Sequence, residues 1–245
     1  MKPNFIHLSV AAGILLAMST THAALAENAN AEGDSTGKQM RASRYDATAR
    51  GLNAPMYAYY AEKIKNVTGI TKGTCLDVGC GGGYLGLALA KISDLDFIFL
   101  DISSEMLAKA KLHIAEDSLQ NRAKTQLADV HKIPLEDGSV DLVISRGSIP
   151  FWKDPATALK EIYRVLKPGG KAFVGGGRGS AQIREQIEAK RKELGITLPD
   201  KWKKGDRSPH GRMAHRDYDE ILKSSGIPNF SIRKGDDGMW IQMWK

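Results

Sequence analysis

Three acids stand where they could hold a ligand. Asp77, Asp101 and Asp129 each close a short apolar run, and the first leads into a glycine-dense stretch, TCLDVGCGGGYLG over Thr74–Gly86. Glycine has no Cβ, so it accepts positive φ and lets a ligand approach the backbone. The helix expected from Tyr84 and Leu85 onward presents unpaired N–H groups in its first turn. Strand, glycine turn and helix start together make a nucleotide-binding corner. Two spacings fit it. Gly81, Gly83 and Gly86 satisfy G-x-G-x-x-G, the dinucleotide fingerprint. Asp77, Val78, Gly79, Gly81 and Gly83 satisfy acid-apolar-G-x-G-x-G. The second makes Asp77 part of the pattern. A carboxylate beside the turn suits a ligand with an ammonium group and repels a pyrophosphate.

The elements that position these acids follow from the apolar pattern. Cys75, Leu76 and Val78 read as a buried first strand, and Leu85 to Ile92 as a helix. Asp96 to Asp101 (DFIFLD) reads as a second buried strand. Asp101 falls 18 positions after Gly83, where an acid accepting from ribose hydroxyls is expected. It could equally cap the helix over Glu105 to Ser118, as could Ser103 and Ser104. Thr125 to Asp129 is the expected third strand and Val140 to Ser145 the fourth, opening with Asp141. A loop, Arg146 to Trp152, comes next. A helix with Pro155 early in it follows, turning Ala158, Leu159, Ile162 and Leu166 inward. Leu166 to Gly170 (LKPGG) reads as its terminal turn, and Lys171 to Gly175 as the fifth strand. His215 to Ser224 reads as a helix, with Phe230 to Lys234 and Met239 to Trp244 as a hairpin across Gly235 to Gly238. Before the first strand, Met56, Tyr57, Tyr60, Ile64 and Val67 give helical character to Arg41 to Val67.

Four segments in this order, LDVGCGGG, FLDISSEML, LADVHKIPLEDGSVDLVIS and LKPGG, resemble the motifs of class I S-adenosylmethionine (SAM) methyltransferases. RGSIPFW is similar to a stand-alone, small-molecule, type 11-like subgroup. The resemblance covers roughly Tyr45 to Gly177 and implies an α/β fold: a Rossmann-like, seven-stranded, mostly parallel sheet with helices on both faces and a C-terminal antiparallel hairpin. It implies SAM as cofactor. Gly79, Gly81 and Gly83 would bring the backbone to its methionine part, and Asp77 would support its amino group. Asp101 would hold the ribose, with Ile102 and Val130 on either face of the adenine. Asp129 would take the adenine amino group, Ser145 would offer its carbonyl to the SAM ammonium, and Tyr45 would belong to an N-terminal lid. Catalytic candidates are Arg146, His131 and Trp152, in or near the loop that would line the acceptor pocket. Each also has a plain structural reading: Arg146 capping a carbonyl or pairing with Asp141, Trp152 packing, and His131 serving a structural role.

Methyl transfer to a small-molecule acceptor is therefore the expected function. A non-catalytic SAM-binding protein is the alternative, and an NAD-dependent oxidoreductase a further one. Against the oxidoreductase stand Asp77, Asp129 and the lack of a Tyr-x-x-x-Lys pair after the fourth strand. No N-P-P-Y-type loop follows that strand, where SRGS stands, which favours a small molecule over nucleic acid. The two cysteines, Cys75 and Cys80, lie across an extended strand end, so their Cα atoms are roughly 10 Å or more apart. A disulfide needs about 4.4–6.8 Å, and two free thiols are expected. With no third ligand nearby they make no metal site.

The 245 residues, 42% hydrophobic and 26% charged, suit one α/β domain. The net charge of +7 gathers late, with 11 Lys or Arg against 5 Asp or Glu over 178–216. Trp202 alone offers an aromatic ring there, too few for a nucleic-acid stacking platform. Residues 1–26 read as a secretory signal peptide, with an apolar Ile6 to Met18 and an A-x-A at Ala24 to Ala26. The apolar run is too short to span a bilayer. Residues 27–40 read as a disordered linker and 41–245 as the catalytic domain. Export to the periplasm or medium is expected, or a cytoplasmic protein if translation starts at Met40. Cleavage predicts a mature N-terminus at Glu27. N-terminal sequencing of the native protein checks it, and a chain still beginning at Met1 or Met40 would contradict it.

Overall fold

The structure is a computed structural model, and it describes residues 45–196 and 216–245. The expected signal peptide, linker and His215 lie outside the described residues. The chain divides into Met1–Tyr45, of which Tyr45 alone is described, and Asp46–Lys245, one compact unit. After a helical turn over 45–50, the second unit runs α1 (Ala54–Thr68), β1 (Lys72–Val78), α2 (Tyr84–Ala90), β2 (Asp94–Asp101), α3 (Ser104–Glu116), β3 (Ala123–Leu127) and β4 (Val140–Arg146). A 3-10 turn (Ile149–Phe151) leads to α4 (Pro155–Val165), β5 (Leu166–Gly176), α5 (Ala181–Glu193), α6 (Tyr218–Ser224), β6 (Phe230–Gly235) and β7 (Gly238–Trp244).

The sheet has seven strands in the order β3-β2-β1-β4-β5-β7-β6. β1 to β5 pair in parallel, whereas β7 pairs antiparallel with both β5 and β6. The fold is the expected Rossmann-like one. The chain moves outward from β1 to β2 and β3, then returns to place β4 on the other side of β1. Ligands of such sheets bind at this reversal, beyond the carboxyl ends of the strands.

Alternation along the strands builds two cores. Cys75, Phe97, Phe99, Leu142, Ile144, Phe173 and Trp240 face the layer of α1, α2 and α3. Leu76, Val78, Ile98, Leu100, Val143, Val174 and Ile241 face α4 and α6. A period of two puts Asp77 on the same face as Cys75, which is why its carboxylate lies under α2. The Trp240 ring stacks on Phe173 (4.5 Å, 27°) and meets Tyr60 at 4.7 Å. That contact ties the reversed hairpin to α1. Asp237 in the hairpin turn reinforces it, accepting from Tyr59 Oη (2.8 Å) and from Lys63 Nζ.

Two expected boundaries are corrected. The third strand ends at Leu127, so Asp129 lies two residues beyond it. LKPGG is not a helix-terminal turn outside the sheet. Leu166 already pairs with Val140, and the register then jumps to Lys171 opposite Leu142, leaving Lys167 to Gly170 as an irregularity inside β5.

Helix α2 sits close to the sheet because Gly86 has no side chain. A Cβ there would lie 2.4 Å from Phe99 Cε1 and 3.0 Å from Asp77 Oδ2. Overpacking of this kind costs about 1–3 kcal/mol. Gly86→Ala is expected to lower the melting temperature, and Phe99→Leu in the same chain to recover part of the loss. Thermal unfolding of the single and double variants tests this, and additive losses would contradict it.

Candidate functional site

The turn between β1 and α2 is held by backbone and acid contacts on several sides. Cys80 N–H donates to Leu100 O (3.1 Å) and Gly83 N–H to Cys80 O (2.9 Å). Gly81 N–H donates to Asp101 Oδ2 (2.8 Å), while Asp101 Oδ1 accepts from Ser103 N–H (2.9 Å). Gly79 has φ +64°, and a Cβ on it would stand 2.4 Å from the Cβ of Ser148. The turn after β1 and the loop after β4 thus touch at the sheet's reversal, and Gly79 permits the contact.

Asp77 caps α2 from a distance. Helices α3, α4, α5 and α6 carry their own capping side chains, Ser103, Asp154, Ser180 and Asp217. The N-cap of α2 is Gly83, which has none. Asp77 Oδ2 accepts the Gly86 N–H instead, at 3.0 Å. The carboxyl is 1% exposed. Burial pushes its pKa up to about 7, the Gly86 N–H draws it down, and the nearby charge of Asp101 pushes it up further. Near neutrality the acid sits between its two protonation states, in a place where a cation would settle it as the anion.

On the β4 side, Ser145 is fully buried. Its hydroxyl donates to Val78 O (2.7 Å) and lies 2.6 Å from the Ser148 hydroxyl. Arg146 closes β4. Its guanidinium donates to Gly177 O (2.6 Å), lies 3.0 Å from Met56 Sδ, and stands over the rings of Tyr57 (5.2 Å) and Tyr60 (5.9 Å). It therefore joins α1, β4 and the end of β5, with Nε buried and unpartnered. Trp152 is in the core at 6% exposure, and Phe151 before it is 63% exposed.

At the far end, Ile102 is 71% exposed just past Asp101, whereas Val130 is in the core. Asp129 accepts from the backbone N–H of His131 (3.0 Å) and from its Nδ1 (2.5 Å), and these bonds hold its carboxyl below the usual range. His131 Nε2 accepts from Asp154 N–H at 3.2 Å. Both ring nitrogens of His131 are thus engaged, bracing the post-β3 loop against the start of α4. Tyr45 is 51% exposed and belongs to the other unit.

The structure therefore brings together Asp77, Gly79, Gly81, Gly83, Asp101 and Ser145 around one turn. Both cysteines are buried and free. Among the described residues no group of three or more His, Cys, Asp or Glu could hold a metal. The residue the sequence reading missed is His113. It is 3% exposed, and its Nδ1 lies 2.8 Å from Gly82 O. The signal was its place on the buried stripe of α3 with Leu107, Ala110 and Ile114. A cavity of about 690 Å³ lies elsewhere, lined by Tyr218, Phe230, Ile232 and Met239 among others.

Asp77 makes stability depend on pH. Because its folded pKa is raised, the folded state holds the proton more tightly than the unfolded chain. Stability from this group is greatest at acid pH and is lost as pH rises through about 7. The loss is on the order of 4 kcal/mol. Asp77→Asn keeps an acceptor for Gly86 and removes the titration. Relative to wild type, the variant is expected to gain in melting temperature as pH rises from about 4 to about 8. The absence of that relative gain would contradict the assignment.

Comparison with known proteins places the chain. Residues 76–174 match a methyltransferase domain family. A crystal structure of a Methanococcus maripaludis protein, assigned as an S-adenosyl-L-methionine-dependent methyltransferase, shares 40% identity at a TM-score of 0.76, covering 84% of this chain and 93% of that one. A ubiquinone/menaquinone biosynthesis C-methyltransferase of Geotalea daltonii is 33% identical over 139 residues, 54% of this chain and 58% of that one. A ubiquinone biosynthesis O-methyltransferase of Xanthomonas oryzae is 31% identical over 130 residues, 51% of this chain and 53% of that one. The chain thus spans a little over half the length of these two curated relatives. Nearly the whole length of the Methanococcus maripaludis protein is matched, with the motif-bearing turn and the reversed hairpin both present here, and the chain belongs to the S-adenosyl-L-methionine-dependent methyltransferases.

Proposed function

We propose that this protein transfers a methyl group from SAM to a small-molecule acceptor. The observation that carries the reading is Asp77: a buried carboxyl beneath the glycine turn, raised by burial and by Asp101, in a setting that an ammonium group complements and a pyrophosphate does not. The residues present fit the cofactor. Gly79 and Gly81, at φ +64° and +55°, leave the backbone of the turn open to close approach. Asp101 uses each oxygen once on a backbone N–H and keeps lone pairs for ribose hydroxyls. Ile102 offers an exposed apolar face to the adenine. Asp129 is the candidate for its amino group, Val130 supports that wall from the core, and Ser145 stands at the methionine end.

Bound SAM supplies an electrophilic methyl on a sulfonium sulfur. The protein's part is to align the acceptor with the S–CH3 bond and exclude water. The 3-10 turn beyond Ser148 is anchored by buried Ile149 and Trp152, with Phe151 exposed. Phe151 is placed to meet an apolar or planar acceptor, and the quinone-pathway names of two relatives support a small ring compound. Arg146 and His131 act here as braces for the loop and the adenine wall, rather than as acid or base. As to location, the reading is export through residues 1–26.

The reading predicts binding of S-adenosylhomocysteine or SAM, and none of NAD, by calorimetry. Asp101→Ala removes a charge-assisted acceptor for ribose, each such bond being worth about 1.5–3 kcal/mol. Cofactor affinity is expected to fall on the order of 10- to 100-fold. Binding of NAD alone would overturn the proposal. Transfer of label from SAM to a metabolite pool distinguishes an enzyme from a non-catalytic SAM-binding protein.

A further inference from the structure

We infer that His113 is a positioning residue for the glycine turn, holding the Gly82 carbonyl through Nδ1 with the Asp46 carboxylate beside its other nitrogen. The inference rests on the reading of that turn as the cofactor site. His113 Nδ1 lies 2.8 Å from Gly82 O, and Nε2 lies 3.2 Å from Asp46 Oδ1. A backbone carbonyl can only accept, so Nδ1 carries a proton. The same Asp46 oxygen receives the Tyr84 hydroxyl at 2.8 Å, and Arg50, paired with Glu116 of α3, lies within its electrostatic reach.

The arrangement has a consequence for the turn. Asp101 fixes Gly81 through its N–H, and His113 fixes Gly82 through its carbonyl. Tyr84 packs against the same glycine, since a Cβ on Gly82 would lie 2.6 Å from Tyr84 Cζ. Two adjacent glycines are thus held by different partners, one a carboxylate and one an imidazole. Through Asp46, which accepts from Tyr84, the helical turn over 46–50 is fastened to the same point. The ring is 3% exposed, where little water competes for its bond to Gly82.

The test uses the full chain with 15N-labelled histidine and S-adenosylhomocysteine as probe. His113→Gln assigns the ring among the 6 histidines. The expected spectrum shows His113 Nδ1 protonated, with its signal moving when the ligand binds. Asp46→Asn is expected to weaken binding roughly tenfold. Tyr84→Phe should weaken it less, and it carries the test if Asp46→Asn fails to melt cooperatively. A wild-type His113 with no proton on Nδ1 would overturn the inference. So would an Asp46→Asn chain, or in its place a Tyr84→Phe chain, that binds as wild type does with the Nδ1 signal unmoved by ligand. A wild-type chain that binds no S-adenosylhomocysteine would overturn the cofactor reading itself, and the inference with it.

Discussion

The site depends on one constraint: α2 begins at a glycine and cannot cap itself. Its first-turn N–H groups point at the sheet's reversal, where a ligand is to sit, so no side chain of the turn can be spent on them. The acceptor comes from the strand below. Asp77 reaches Gly86 from β1 because the strand's two-residue alternation aims it at the α2 face. Asp101 reaches Gly81 in the same way from the end of β2. The turn can be made almost wholly of glycine because its hydrogen bonds are supplied from outside it.

Supplying them with carboxyl groups has an electrostatic consequence. Two acids in one dry corner repel each other, and the deeper one cannot hold its charge freely. Asp77 is therefore raised toward neutrality, while Asp129, half-exposed and bonded by His131, is lowered. Acids of one residue type are thus set apart by burial and partners alone. The buried one is left poised for a cation, and the exposed one is held anionic in the loop beyond β3.

The fold was legible because its signals are apolar runs and stripes. Short apolar runs marked β1, β2 and β4. The stripe of α4 placed Ala158, Leu159, Ile162 and Leu166 inward, and all four are buried, Leu166 as the first residue of β5. The reversed hairpin followed from two short runs across Asp236 and Asp237, and Gly235 does pair with Gly238. Boundaries read less well where backbone geometry overrides composition. LKPGG looks like a terminal turn, yet Leu166 already bonds into the sheet, and the proline and glycines fill the register jump behind it. Asp129 read as the acid ending the third strand, but the strand stops at Leu127. Long-range partners were least legible. Nothing near His113 in sequence points to Gly82, 31 residues away.

The same distinction bears on the two conspicuous polar candidates for catalysis. A residue type that can do chemistry in solution can equally satisfy a backbone, and sequence does not say which. Structure shows what each polar atom already holds. His131 has an acid on one nitrogen and a backbone N–H on the other. Arg146 spends its charge on Gly177 O and two tyrosine faces. What these two residues do is keep loops from the ends of β3, β4 and β5 in fixed relation. Methyl transfer from a sulfonium needs alignment more than proton traffic. In such a site a brace acts by where it holds the walls, and Asp77 and Asp101 are the acids left with spare accepting capacity.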